Sequence, residues 1–388
     1  MHPIDFIESW YYGTYYNILF LILSWFTVLY YIGSNGQKML HSQGSPMQGV
    51  ALLLTMVIIV YLGLRPDGPA FVDSAGYRNT YIYYMKEYVP INFSREWLWP
   101  NINCFCKNMG LNPYEFFLVV EFGYIGGMFV ACFLLMRSNL WMSVLFFYIS
   151  FSCYSFGVNG IRNGLACSIE LVAVAILALD TKRWPAAAIL MFLALGVHRS
   201  TMLPSAAALA SAFVLKDTKN VLRFWVLSIF ISLAVGPMVQ HFFASLGFDD
   251  RMSVYGGAGS EEVSSKSGFR FDFLFYSLWP VVLVWYVTKY RHFKDKTFNI
   301  IANTYVLCNA FWIMVIRAAY SNRFAYLSWF IYPLVFAYPL LRMNLWKDQD
   351  RKTAIIYFLY SGFSFFMFFI YYFGTMSGFR GFNLYWWK

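Results

Sequence analysis

The chain reads as an all-α polytopic integral membrane protein of about twelve transmembrane helices with two larger outer-face loops. Two observations lead there. Hydrophobic residues make up 60% of the 388 and charged residues only 12%, too few for the surface of a soluble domain of this size. Apolar stretches of roughly 20 residues, the length that crosses a ~30 Å hydrocarbon core as helix, also recur from end to end.

The N-terminal Met1 to Trp10 carries Asp5 and Glu8 but no Lys or Arg. It lacks the basic region of a cleavable signal peptide, so Tyr11–Ile32 is a retained span. The remaining expected spans are Gln48–Leu64, Pro113–Met136, Leu140–Gly157, Asn163–Asp180, Trp184–Val197, Ser200–Leu215, Val221–Leu246, Phe273–Thr288, Phe298–Ile316, Phe324–Leu341 and Thr353–Gly374. There is no internal repeat, and residues 1–388 form a single polytopic membrane domain with outer loops at about 65–112 and 247–271.

Orientation follows from the short connections. With the N-terminus outside, the inner loops collect Lys182, Arg183, Lys216, Lys219, Lys289, Arg291, Lys294, Lys296, Arg342, Lys347, Arg351 and Lys352, as the positive-inside rule requires. Reading Trp184–Leu215 as one long helix would invert everything downstream and carry two basic clusters outside. A hairpin turning at Gly196-Val197-His198-Arg199 keeps the rule.

On this topology the inner face holds six Arg and nine Lys, the outer face ten Arg (65, 78, 95, 162, 199, 251, 270, 317, 323 and 380) and four Lys. Topological anchors have no need of arginine in particular. A planar, always-charged fork suits a phosphate or carboxylate held near the headgroups, with lipid snorkelling as the plain alternative. Arg162, Arg199, Arg317 and Arg323 lie in or beside very short turns. Trp184–Val197 gives only about 21 Å of helix, so the turn bearing His198 and Arg199 should sit below the outer headgroups, where polar groups are costly unless paired or functional.

In the first outer loop Asp73, Tyr77 and Tyr81 recur every fourth residue beside Arg78. An acid flanked by rings is the composition of a sugar subsite, and equally of an amphipathic helix resting at the interface. The second loop, rich in Gly and Ser between Gly256 and Gly268, has the composition of a lid and of a plain linker. The intramembrane Glu121 and Glu170 fit either packing or a polar path. Cys104 and Cys106 are too close for an unstrained disulfide. No metal-ligand spacing, P-loop, dinucleotide fingerprint or Gly-x-Ser-x-Gly is present, so the sequence supports no metal or nucleotide cofactor. The basic balance suits anionic lipid and does not argue for nucleic acid.

Four motifs taken in order resemble the EpsG branch of the Wzy-type polysaccharide polymerases: Asp73-x3-Tyr77-x3-Tyr81, Ile161-Arg162-Asn163-Gly164-Leu165-Ala166, His198-Arg199-Ser200 and Asn322-Arg323-Phe324-Ala325-Tyr326. The resemblance implies a membrane glycosyltransferase of the bacterial plasma membrane. It would join oligosaccharide repeat units carried on undecaprenyl diphosphate, on the outer face, alongside a flippase and a chain-length regulator. Asn163 stands where that family often has Gln. In the mechanism this implies, Arg162, Arg199, Arg317 and Arg323 stabilise the leaving diphosphate. Arg78, Tyr77, Tyr81, Asn163 and Asn322 bind substrate. Two roles are open to His198: general base for the acceptor hydroxyl, or a cation on the diphosphate. In the second case the base is Asp73 or another carboxylate such as Asp272 or Glu262. The rival class is a flippase for the same lipid-linked sugars. A midplane poor in charge and one-sided arginine count against alternating access. A glycan ligase shares the donor chemistry and differs only in its acceptor.

Overall fold

The structure is a computed structural model that describes residues 7–33, 45–84, 87–92, 95–245, 269–317 and 322–375. It is all-α over these residues, which fall into two compact units, Met1–Ile169 with Leu340–Lys388, and Glu170–Pro339.

The first unit contains α1 (Ser9–Gly33), α2 (Ser45–Gly63), α3 (Val72–Asn79), α4 (Leu98–Asn108), α5 (Pro113–Met136), α6 (Leu140–Tyr148), α7 (Phe151–Val158), the opening of α8 (Ile161–Leu179) and, from the C-terminal part of the chain, α16 (Gln349–Thr375). α2 packs on α5, and α1 on α16. The α2–α5 approach needs a residue without a side chain: a Cβ on Gly63 would stand 2.7 Å from Leu118 Cα. α5 starts at a capping box. The Asn112 side chain accepts from the Tyr114 and Glu115 N–H groups, Glu115 Oε2 accepts from Asn112 N–H at 2.7 Å, and Pro113 opens the first turn.

The second unit contains the rest of α8, α9 (Trp184–Val197), α10 (Met202–Phe213), α11 (Thr218–Ser245), α12 (Phe271–Trp285), α13 (Lys296–Met314), α14 (Asn322–Trp329) and most of α15 (Tyr332–Arg342). α13 is its hub, packed by α10, α11 and α14. Asn309 on α13 is satisfied there, accepting from Trp225 Nε1 at 2.8 Å and donating to Ser328 Oγ at 3.0 Å. Trp329 Nε1 donates to Ser277 Oγ at 2.8 Å between stacked and edge-on rings of Tyr276, Tyr332 and Phe273.

Seven helices among the described residues are long and apolar enough to cross a membrane: Ser9–Gly33, Pro113–Tyr148, Ile161–Leu179, Thr218–Gly236, Phe271–Tyr290, Phe324–Arg342 and Gln349–Phe369. The chain is therefore a polytopic membrane protein, and five of the twelve expected spans are not among these seven. Gln48–Leu64 is represented among the described apolar residues only by the shorter Met47–Gly63, and the other four differ for three physical reasons. The expected span Leu140–Gly157 is broken at Ile149–Ser150 into two short helices. α9 and α10 have 14 and 12 residues, too short to cross alone. α13 has 19 residues but carries Asn299, Asn303 and Asn309, which lower its hydropathy. The α6–α7 break survives among apolar helices because hydroxyls take its freed carbonyls. Tyr16 donates to Tyr148 O at 2.9 Å, Tyr360 to Phe146 O at 2.7 Å and Ser150 to Phe147 O at 2.6 Å.

The turn expected at His198 is present: α9 ends at Val197, His198 is extended (φ −150°, ψ 119°), and a 3-10 turn Arg199–Thr201 leads into α10, which packs back on α9. Arg251, Glu262, Arg380 and residues 247–268 of the second outer loop lie outside the described residues.

Candidate functional site

In the first unit the residues singled out from the sequence gather on α3, on the loop before α4 and at the start of α8. Asp73 occupies the first turn of α3, where the helix N-terminus favours its charge. One turn on, Tyr77 meets Trp99 of α4 edge-on, ring centres 5.6 Å apart. Tyr81 does not continue that face. The chain passes at Thr80 into a π turn, and the i→i+5 pattern swings Tyr81 inward. Its ring stacks on Phe116 at 4.5 Å, its hydroxyl donates to Leu111 O at 2.7 Å, and burial pushes that hydroxyl up to about 12. Tyr81 thus anchors the loop to α5, and its ring is not open to a sugar.

Arg78 is held at the loop's edge. It pairs with Asp67 and donates to Tyr114 Oη at 2.9 Å, while Tyr114 donates to the same Asp67 oxygen at 2.9 Å. Arg65, counted among the outer arginines, is drawn into the protein. It sits 3.7 Å from Glu121, both side chains being essentially fully buried. It also donates to Leu62 O at 2.8 Å and Ser74 Oγ at 3.0 Å, and lies over the Phe117 ring. Glu121 thereby gains a charge partner, and Arg65 is buried instead of lying open on the outer face.

Arg162 and Asn163 open α8. The turn is set by Gly164: a Cβ there would stand 2.8 Å from Phe156 O and 3.1 Å from the Tyr124 ring. Asn163 is buried and accepts from Cys167 Sγ at 3.3 Å. The Arg162 guanidinium reaches the first outer loop, its Nη1 2.7 Å from Glu96 Oε2, with both side chains about one-fifth exposed. Its Nε–H is buried and has no hydrogen-bond partner among the described residues. Glu96 is the residue that sequence reasoning passed over. Its link to Arg162 spans 66 positions, and nothing local marks it.

In the second unit His198 and Arg199 lie at the α9–α10 turn, both half-buried. His198 Nδ1 accepts from the Ser200 N–H at 3.3 Å and lies 2.8 Å from Ser200 Oγ. A backbone N–H can only donate, so Nδ1 presents its lone pair, and the neutral ring carries its proton on Nε2. Arg317 follows α13, and its side chain runs beside Gly236, where a Cβ would stand 3.7 Å from Arg317 Cδ. Gly236 adjoins a kink in α11 at Val235 (φ −135°, ψ 20°). Like Arg162, Arg317 holds a buried Nε–H with no partner among the described residues. Asn322 and Arg323 open α14, and their side chains are not among the described features. Asp272 is engaged by Arg270, two contacts at 2.9 and 2.6 Å. Glu170 is buried in the helix packing and accepts from Ser205 Oγ at 2.9 Å.

Arg162 in the first unit and Arg317 in the second each hold a buried Nε–H that no described residue satisfies. No curated protein and no solved structure matches the chain. A family match covers residues 50–385 and so takes in all four motifs and both units: the chain belongs to the EpsG family, membrane proteins of polysaccharide biosynthesis.

Proposed function

We propose that the protein is a polysaccharide polymerase, a membrane glycosyltransferase joining undecaprenyl diphosphate-linked oligosaccharide repeat units on the outer face of the bacterial plasma membrane. The observation that carries the reading is the state of Arg162 and Arg317. Both were expected from sequence to meet a diphosphate, and each keeps a buried Nε–H unsatisfied among the described residues. A buried donor left open costs about 1–3 kcal/mol. Arg65 Nη2 is another among the described residues, but that side chain is 1% exposed, whereas Arg162 and Arg317 are partly exposed and an anion can reach their guanidinium groups.

In this mechanism a hydroxyl of the incoming unit attacks the anomeric carbon of the growing glycan, and the bond to diphosphate breaks. Charge builds on the leaving oxygens, and Arg162, Arg199, Arg317 and Arg323 stabilise it without a metal ion. His198, whose Nδ1 accepts from the Ser200 N–H, serves as a donor to a diphosphate oxygen. Asp73, Tyr77, Arg78, Asn163 and Asn322 bind the sugar and its carrier. A direct displacement of this kind inverts the anomeric centre.

The test uses purified protein in nanodiscs with its lipid diphosphate-linked repeat unit, in EDTA, with products resolved by mass. A ladder with undecaprenyl diphosphate released, and lost on Arg162→Ala or His198→Ala, is expected. No ladder, under conditions where the same protein in sealed vesicles moves that lipid across the bilayer, overturns the polymerase and makes the protein a flippase.

A further inference from the structure

The proposed reaction needs a base for the acceptor hydroxyl, and His198 presents a donor instead. Asp73, the carboxylate first expected in this role, sits in the first turn of α3, where the helix N-terminus favours its charged form and weakens it as a base. Three other carboxylates near the first outer loop are engaged by neighbours. Asp67 is tied to Arg78 and Tyr114, Glu115 caps α5, and Glu121 is buried against Arg65. Glu96 differs. It is partly exposed, it lies three residues before the Trp99 that meets Tyr77, and it is paired at 2.7 Å with an arginine assigned to the leaving group.

We propose that Glu96 is the general base for the acceptor hydroxyl, held by Arg162 until a lipid diphosphate arrives. This rests on the polymerase reading above. A diphosphate carries more negative charge than one carboxylate and presents several oxygens to the guanidinium fork, so it competes for Arg162. Arg162 Nη1 then turns from Glu96 to the diphosphate, whose oxygens also satisfy the buried Nε–H. With the Arg162 charge moved away, the Glu96 carboxylate accepts a proton more readily.

In the step itself the acceptor oxygen forms its bond to the anomeric carbon and its proton passes to Glu96. The carbon–oxygen bond to the diphosphate breaks, and its electron pair leaves with the diphosphate onto the arginines. The protonated Glu96 returns its proton to water as product departs and Arg162 swings back. Base and leaving-group stabiliser are thereby coupled: without a donor, Arg162 stays on Glu96 and holds its proton affinity down.

The test separates turnover from donor binding in Glu96→Gln. Repeat-unit consumption is timed in nanodiscs, and affinity for undecaprenyl diphosphate is titrated by native mass spectrometry. Turnover is expected to fall by on the order of 10²–10⁴, the usual contribution of a general base. Affinity is expected to stay equal or tighten, because Arg162 has lost its competitor. Glu96→Asp, which keeps the charge and shortens the reach, should retain part of the turnover, and it serves as the readout if the Gln variant does not fold. Wild-type turnover in Glu96→Gln overturns the proposal, and so does a parallel loss of turnover and affinity, which would make Glu96 only a brace for Arg162. Both outcomes leave a wild-type ladder and the polymerase reading intact. No ladder from the wild type removes the reading itself.

Discussion

Two arginine–glutamate pairs in the first unit show how depth decides what the same chemistry does. Arg65 and Glu121 have 1% and 0% side-chain exposure. Phe117 covers the guanidinium, and Leu62 O and Ser74 Oγ take two of its donors. Ser74 lies on α3 and Glu121 on α5, so the pair pins the outer-loop helix to a membrane helix. Arg162 and Glu96 stand 2.7 Å apart, but 21% and 22% of their side chains remain open. A ligand can enter there, and water can screen the pair once it opens. The first pair is a fixed joint, and the second is an exchangeable contact.

The widest separation between the two should come from breaking one partner of the buried pair. Glu121→Ala leaves an arginine sunk without its counter-charge, and the expected cost is about 3–5 kcal/mol. It would be read as a large fall in the unfolding midpoint in detergent. Replacing both partners by apolar groups, Arg65→Met with Glu121→Leu, should recover much of that loss, because the desolvation penalty goes with the charges. A double variant as unstable as the single would show that the hydrogen bonds of Arg65, and not its charge, make the joint.

Arg162→Ala should separate the pairs in the opposite sense. Stability is expected to change by less than about 1 kcal/mol, as for partly exposed ion pairs. Turnover should fall by on the order of 10²–10³, the loss typical of one donor to a developing anion. Comparing unfolding midpoints with the rate of repeat-unit consumption checks both halves. A variant that unfolds like Glu121→Ala would erase the distinction.

Neither pair was visible in the sequence, though Arg65, Glu121 and Arg162 were each singled out there and only Glu96 was not. Arg65 was counted as an outer arginine and Glu121 as an intramembrane acid. Their 56-position separation carries no periodicity that would join them. The helical class, the hairpin at His198 and the turn at Arg162 were legible, because hydropathy and short connections are local signals. The span count was not. The run from Leu140 to Gly157 is apolar throughout, and its break is stabilised by hydroxyls from Tyr16 and Tyr360, far away in the chain. Tyr81 misled for a local reason: spacing by four assumes an α-helix, and a π turn intervenes.

Gly164→Ala tests whether the exchangeable pair depends on the tight turn beneath it. The added methyl meets Phe156 O at 2.8 Å, a backbone atom that cannot rotate away. Overpacking of this kind costs about 1–3 kcal/mol. The opening of α8 should shift, carrying Arg162 off its seat, so affinity for undecaprenyl diphosphate falls along with the midpoint. Loss of midpoint with affinity unchanged would mean that Arg162 finds its ligand from more than one backbone position.

The smallest expected effect belongs to a third pair, Arg78 with Asp67, which extends the comparison toward solvent. Asp67 is 56% exposed and Arg78 26%. Asp67→Asn removes the charge but leaves Tyr114 to accept from Arg78 and to stack beneath it, its ring centre 4.9 Å from the guanidinium carbon. The stability change should be within about 0–1 kcal/mol and fade further as salt is raised. Its value lies in the other readout. If Arg78 touches the carrier or its sugar, freeing it from Asp67 raises donor affinity modestly at low salt. If Arg78 only ties α3 to the start of α5, affinity does not move, and the anion seat of the first unit ends at Arg162.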